Sequence, residues 1–418
     1  MDESDDLDIQ LADTTSAGDV GEADREPIVV ADDDVDDRYS RLRLIPWWDQ
    51  DRLLSARVMV VGAGALGNEI LKNLALLGIG HIFIVDMDNI ENSNLSRSVL
   101  YRESDEGRSK AEVAAARIKE INPSIKVQWF HGNVAYDLGL GVFRSMDVVM
   151  AGLDNREARL AINQSCWKVN RPYIDGAIEV LHGFARVFVP PDGPCYECTM
   201  NELDYKLLSA RRSCALLSRD ELLEGKVPTT PTTSSIIAAV QVQEMVKLIH
   251  NRPELPVLKG KGFVFNGLTH DSYIVDYPVK EDCYSHDTYA SIENLGRSVR
   301  DTTVGSMLNV ARERLGLDAQ LEFDKEIVSS LRCDACGTGE RTFRALGRVT
   351  ETMGRCPSCG AMRNPELTHA VYGNEDYLDM TLADIGLPPF DIVTARVGLD
   401  ALHFELSGDR EEALGELA

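Results

Sequence analysis

The chain has 418 residues, 44% of them hydrophobic and 27% charged, with a net charge of −25; this gives room for one large domain and a smaller one around a real core. The acidic balance argues against nucleic acid as the main partner, and no apolar run reaches the roughly 18 residues of a membrane span. The opening MDESDDLDIQ has neither the basic nor the apolar region of a signal peptide, so a cytoplasmic location is expected.

Residues 1–37 hold fifteen Asp/Glu and one Arg and little that could pack, which reads as a disordered acidic tail. The first ordered element is expected near Arg38, where Leu42, Ile45, Trp48 and Leu53 recur at roughly helical steps, interrupted by Pro46. The unbroken apolar run Val58–Val61 reads as a buried strand. Gly62, Gly64 and Gly67 then form a turn into a helix over 66–77, with Ile70, Leu71, Leu74 and Leu77 on one stripe and Gly78 just beyond its end. Strands follow at 82–85, 127–130 and 148–150, with a helix over 108–121 closed by Asn122-Pro123. Alternating strands and helices predict an α/β fold with a doubly wound, mostly parallel Rossmann-like sheet. Ligands of such sheets bind beyond the strand C-termini.

From about 172 the pattern is richer in strands: 173–174, 184–189, and a pair over 263–277 around Asn266-Gly267. A long apolar helix, 234–249, lies between them. A boundary near 295 separates a smaller α+β region with a helix over 303–315, a short strand at Leu321 and Phe323, and strands at 392–397 and 402–406. The expected organisation is thus a tail (1–37), a nucleotide-binding domain (38–295) and a C-terminal metal-binding module (296–418).

A glycine turn between strand and helix suits a phosphate, because the backbone can approach closely and the helix N-terminus offers N–H donors. On its own it is weak evidence, since a dinucleotide site has the same turn, with an acid such as Asp86 on the ribose. The residues after Asp86 decide between the two. Hydride transfer has no need of Asn94, Arg97 and Lys110 in this order, whereas cleavage of a triphosphate calls for groups that stabilise a leaving pyrophosphate. An NAD(P)-binding protein and a catalytically dead scaffold remain as alternatives from other classes.

Nine cysteines without a secretion signal suggest metal or catalysis rather than disulfides. Cys333-x2-Cys336 and Cys356-x2-Cys359, each followed by glycine, have the spacing of a tetrahedral structural Zn²⁺ site. Cys195-x2-Cys198 with Cys283-x2-His286 gives a second, Cys3His set. Four protein ligands leave no open position, so neither site is expected to be catalytic. Cys166, beside Trp167, reads as a small core residue. Cys214 follows Arg211 and Arg212, whose charges favour its thiolate.

Arg38-Tyr-Ser-Arg41, GAGALG (62–67), Asp86-Met-Asp88, Asn94-Leu-Ser-Arg97, Lys110 and Leu153-Asp-Asn155 together resemble the ThiF, MoeB and ubiquitin-activating enzyme superfamily, from Arg38 to about His286. Ala65 stands where many members have glycine, and His286 where the family usually has a cysteine pair. The resemblance implies ATP and Mg²⁺ as cofactors. Gly62, Gly64, Gly67 and Asp86 would bind the nucleotide, with Asp86 on the ribose. Asn94, Arg97 and Lys110 would contact the phosphates. Asp154 would hold Mg²⁺, with Asp88 as a secondary candidate. Arg41 would reach into the partner subunit's site, which implies a homodimer. The expected activity is adenylation of the C-terminal glycine of a ubiquitin-like protein. Thioester formation at Cys214 and transfer to a conjugating-enzyme-like acceptor would follow, although the insertion 216–227 is longer than the related cysteine loops. The alternative is an adenylyltransferase for a sulfur-carrier protein, of the thiamin or molybdopterin type, without an enzyme thioester. Residues 296–418 faintly resemble a ubiquitin-fold domain.

Overall fold

The computed structural model describes residues 37–206 and 228–418. The expected acidic tail, apart from Asp37, and Cys214 with its loop lie outside the described residues. The described residues up to Gln50 and those from Asp51 onward form separate compact units. In the first, a 3-10 helix covers Leu42–Leu44, the Asp37 carboxylate accepts two hydrogen bonds from the Arg43 guanidinium at 2.7 Å, and Arg41 is exposed. The short α1 (Gln50–Ser55) stands where one longer helical pattern interrupted by Pro46 was expected.

The second unit is built on an eight-stranded sheet ordered β3-β2-β1-β4-β5-β6-β7-β8. Strands β1 (Arg57–Val61), β2 (His81–Asp86), β3 (Lys126–His131), β4 (Val148–Gly152) and β5 (Tyr173–Glu179) run parallel. Strands β6 (His182–Phe188), β7 (Lys261–Asn266) and β8 (Asp271–Asp276) extend it antiparallel. The apolar runs of the central strands are buried on both faces, as a parallel sheet covered by helices requires. Those helices are α2 (Ala65–Leu77), α3 (Lys110–Ile121), α4 (Leu140–Arg144), α5 (Arg156–Lys168) and α6 (Pro231–His250). Helix α2 ends at Gly78, whose φ of +77° closes it in the left-handed region. Helix α6 begins with Thr230 accepting a hydrogen bond from the Thr233 N–H and with Pro231 in its first turn. Among the described residues no helix is long and apolar enough to cross a membrane.

A second sheet is ordered β11-β10-β13-β14-β9, with β12 also paired to β10. Its strands are β9 (Ile292–Asn294), β10 (Gln320–Arg332), β11 (Gly339–Ala345), β12 (Asn364–Val371), β13 (Ile392–Val397) and β14 (Asp400–Glu405). Helix α7 (Val304–Leu315), capped by Thr303, buries Val304, Met307, Leu308 and Ala311 in a core with Leu321, Val393 and Phe404. The strand expected at Leu321 and Phe323 is far longer, because it continues beyond the core to carry the cysteine ribbon. The end of the chain returns to the first sheet: Phe390, Leu414 and Leu417 are fully buried in one cluster with Val61, Phe83 and Phe143.

Candidate functional site

Strands β1, β2 and β4 are parallel neighbours, so the loops that leave them emerge at one edge, where the strand order reverses. Two of the three glycines after β1 have steric reasons to be glycine. Gly62 has φ +89°, and a Cβ there would lie 2.7 Å from the Gly152 carbonyl oxygen at the end of β4. A Cβ on Gly67 would overlap the Gly62 carbonyl. Gly64, the N-cap of α2, faces open space and supplies no side-chain cap. The first-turn N–H groups of α2 therefore point into an open cradle of positive potential.

Two residues that sequence reasoning missed hold this turn. Asn68, fully buried, donates to the Ala63 carbonyl at 2.6 Å and to Gly64 at 3.1 Å, and accepts from the Leu100 N–H at 2.8 Å. It therefore ties the loop carrying Asn94 and Arg97 to the glycine turn. The Tyr101 hydroxyl donates to the same Ala63 carbonyl at 2.5 Å, and burial pushes its pKa well up. No motif flags either residue.

Asp86 ends β2. Its carboxylate accepts from the Ala63 N–H at 2.6 Å and from the Asp88 N–H at 2.8 Å. Burial lifts its pKa above the usual carboxylate range, opposed by the charge of Lys110. Backbone pairing of Asp88 and Ile90 with Arg108 and Lys110 carries Lys110 back to this strand end. There its ammonium lies 2.8 Å from the Asp88 carboxylate. Asn94 closes a 3-10 turn by accepting from the Glu91 N–H at 3.0 Å. The Arg97 guanidinium rests on the Ser93 carbonyl at 2.7 Å. Across the switch point Asp154 is exposed just beyond β4, and Asn155 caps α5 by accepting from the Glu157 N–H at 2.8 Å.

Beneath the Asp154 loop lies a charged network that the sequence also does not announce. Asp175 is fully buried between Arg159 at 3.2 Å and Arg186 at 2.5 Å. Arg159 also donates to the Leu153 carbonyl and, at 3.0 Å, to the Gly176 carbonyl. The network braces the loop and keeps a buried carboxylate paired.

Both expected metal sets are brought together. The ligand atoms of Cys195, Cys198, Cys283 and His286 lie within 4.8 Å of one another, as do those of Cys333, Cys336, Cys356 and Cys359. Sulfur separations are 3.5 and 3.8 Å in the first set and 3.5 and 3.6 Å in the second. Zn–S bonds of about 2.3 Å in a tetrahedron set sulfurs roughly 3.8 Å apart, so both donor sets fit Zn²⁺. The His286 ring stacks on Trp167 of α5 with centroids 4.5 Å apart, which holds it where a fourth cysteine was the family expectation. In the ribbon, Gly337 and Gly360 donate to the carbonyls of Cys333 and Cys356 at 2.8 and 2.9 Å, in two equivalent turns with φ near +74°. Cys166 is buried, as expected of a core residue, and burial pushes its thiol pKa far up.

The sequence of residues 37–284 matches the family model of the ThiF family. The chain belongs to the ThiF family. A SAMP-activating enzyme E1 of Haloferax volcanii is 33% identical over 256 residues, 59% of this chain and 87% of that protein. A sulfur carrier protein adenylyltransferase of Thermus thermophilus is 37% identical over 170 residues, 39% of this chain and 63% of that protein. The chain therefore spans less than two thirds of the second relative. A crystal structure of E. coli MccB with AMPCPP and MccA is similar with a TM-score of 0.50 and 25% identity, over 60% of this chain and 75% of that one. The ThiF match takes in the glycine turn, Asp86, Arg97, Lys110, Asp154 and the first cysteine pair. It leaves out His286 and the whole ribbon-bearing module.

Proposed function

We propose that this chain uses ATP to adenylate the C-terminal carboxylate of a ubiquitin-like or sulfur-carrier protein. The observation that carries this reading is the pairing of an open helix N-terminus at Gly64 with the Lys110–Asp88 pair just beyond the end of the neighbouring strand β2. The names of the relatives, an activating enzyme and an adenylyltransferase, agree with it. A carboxylate oxygen of the substrate bonds to the α-phosphorus, the bond from that phosphorus to its bridging oxygen breaks, and pyrophosphate leaves with the electron pair. Asp86 holds the ribose. Asn94, Arg97 and Lys110 meet the phosphates, and the two cations offset the charge that grows on pyrophosphate. Lys110 exchanges Asp88 for phosphate when the nucleotide binds. Asp154, with Asp88 in support, suits Mg²⁺, which neutralises phosphate charge when bound. Arg41 acts from the partner subunit of a homodimer.

In the finer reading, the Cys214 thiolate then attacks the acyl carbon. The bond to AMP breaks, and the thioester passes to a conjugating-enzyme-like acceptor. The second reading ends at the adenylate, which a persulfide donor resolves on a sulfur carrier. The Thermus thermophilus relative's name favours it.

ATP–pyrophosphate exchange with a small protein ending in Gly tests the first step. Arg97→Ala should lower exchange about 100-fold or more. No exchange with any such protein, together with NAD binding, would overturn the reading. A thiol-sensitive adduct on a non-reducing gel that disappears in Cys214→Ser supports the thioester. An adduct unaffected by that change assigns the chemistry elsewhere.

A further inference from the structure

We infer that the C-terminal module positions the Asp154 loop by gripping both ends of α5, with Tyr136 and Glu157 as the positioning pair. The inference rests on the reading of Asp154 as a Mg²⁺ ligand. Helix α5 begins two residues after Asp154, so the placement of its first turn sets that of the carboxylate. In that turn Glu157 accepts a hydrogen bond from the Tyr136 hydroxyl. Tyr136 sits in a tight turn after β3, where Asn133 accepts from the Ala135 N–H and Asp137 from the Asn133 N–H, both at 2.9 Å.

The module holds this turn from the other side. Gly347 lies so close to the Tyr136 ring that a Cβ there would overlap it. Arg348 pairs with Asp137. Both follow β11, which pairs with β10 at the base of the cysteine ribbon. Lys325 of β10 donates to the Leu138 carbonyl at 2.7 Å, and Asp391 accepts from the Leu140 N–H at 2.9 Å. At the far end of α5, Lys168 pairs with Asp324 of the same β10. Every gripping residue lies beyond the part of the chain that the ThiF family model matches. A continuous set of contacts therefore runs from the ribbon's base through Tyr136 and Glu157 to the helix that follows Asp154. Contacts of this kind couple sites by amounts equivalent to about 2- to 30-fold in binding.

The experiment is ATP–pyrophosphate exchange by the full chain, titrated with Mg²⁺ at fixed ATP, with the melting temperature of each variant measured alongside. Tyr136→Phe removes only the hydroxyl, and Arg348→Ala removes the ion pair. Each should raise the Mg²⁺ concentration for half-maximal rate about threefold or more while keeping most of the rate at saturating Mg²⁺. Arg348→Lys should restore the wild-type titration. A purely structural role would lower the melting temperature and leave the Mg²⁺ midpoint in place, and that result overturns the inference. Asp154→Ala separates the two layers. If it abolishes exchange while Tyr136→Phe and Arg348→Ala leave the midpoint unmoved, the positioning role fails alone. If it leaves exchange intact, the reading of Asp154 fails.

Discussion

Asn68 shows how much of a nucleotide site can rest on a side chain that touches no nucleotide. Its three hydrogen bonds all go to backbone groups, two in the glycine turn and one in the loop of Arg97. Asn68→Ala strands the Leu100 N–H in the interior, while the Ala63 carbonyl keeps Tyr101 and the Gly64 carbonyl keeps the backbone N–H of residue 68. A buried polar group left unpaired costs about 1–3 kcal/mol, so the variant should lose about that much in a urea unfolding curve. Its ATP affinity should fall with the loss of the turn. The motif residues around it were legible because their chemistry forces type and order together: glycines at close approaches, an acid at a strand end, cations after it. Asn68 was not, since a single asparagine in a helix's first turn has no pattern to distinguish it from a solvated one. Cys283 and His286 were legible for the opposite reason. Two further ligands at the same spacing were needed to complete a pair that otherwise had no partner.

At the scale of elements, strands β1 to β4 were read from their apolar runs to within a residue or two, because burial on both faces leaves an unbroken signal, whereas β5, expected at 173–174, runs on to Glu179. The ribbon hairpins β10, β11 and β12 were not read this way. Much of their length is exposed or half-buried and carries polar residues, so no period stands out. The two metal sets differ in the same respect. Cys195 and Cys198 are buried, whereas Cys336 and Cys359 are exposed. Metal analysis should find two Zn²⁺ per chain. A chelator should remove the ribbon's ion first, and Cys336→Ser should leave one. Strand β14 adds a titrating group. His403 is buried against Tyr289, with ring centroids 3.6 Å apart, and its Nδ1 lies 3.0 Å from the Thr394 hydroxyl. Burial holds its pKa down to about 4, with Asp287 opposing the shift. The unfolded chain takes up this proton near pH 6.5 and the folded chain only near 4, so stability is lost as pH falls through that window. The melting temperature should drop more steeply between pH 6.5 and 4.5 in the wild type than in His403→Gln.

For the whole molecule, the proposed homodimer, with Arg41 acting across it, predicts that defects will complement. Arg41→Ala and Lys110→Ala should each be nearly inactive alone. Mixed and re-equilibrated, they should regain up to about a quarter of wild-type exchange, because half of the dimers carry one site with both residues intact. No recovery in a mixture shown to exchange subunits would place Arg41 in its own subunit's site. The sequence shows a change of pattern near residue 295, and the strands of the second sheet run from Ile292 onward. The route of the last thirty residues was not legible, because apolar residues at 390, 414 and 417 do not declare which core they enter. They enter the first one, beside Val61 and Phe143. Fully burying three such side chains contributes roughly 5 kcal/mol, a large part of the stability of a typical domain. A chain trimmed to the ThiF-matched residues would therefore leave a hole in that core. In this chain the ThiF-matched region and the segment that ends it share one core, so a change on one side of that core has to be accommodated on the other.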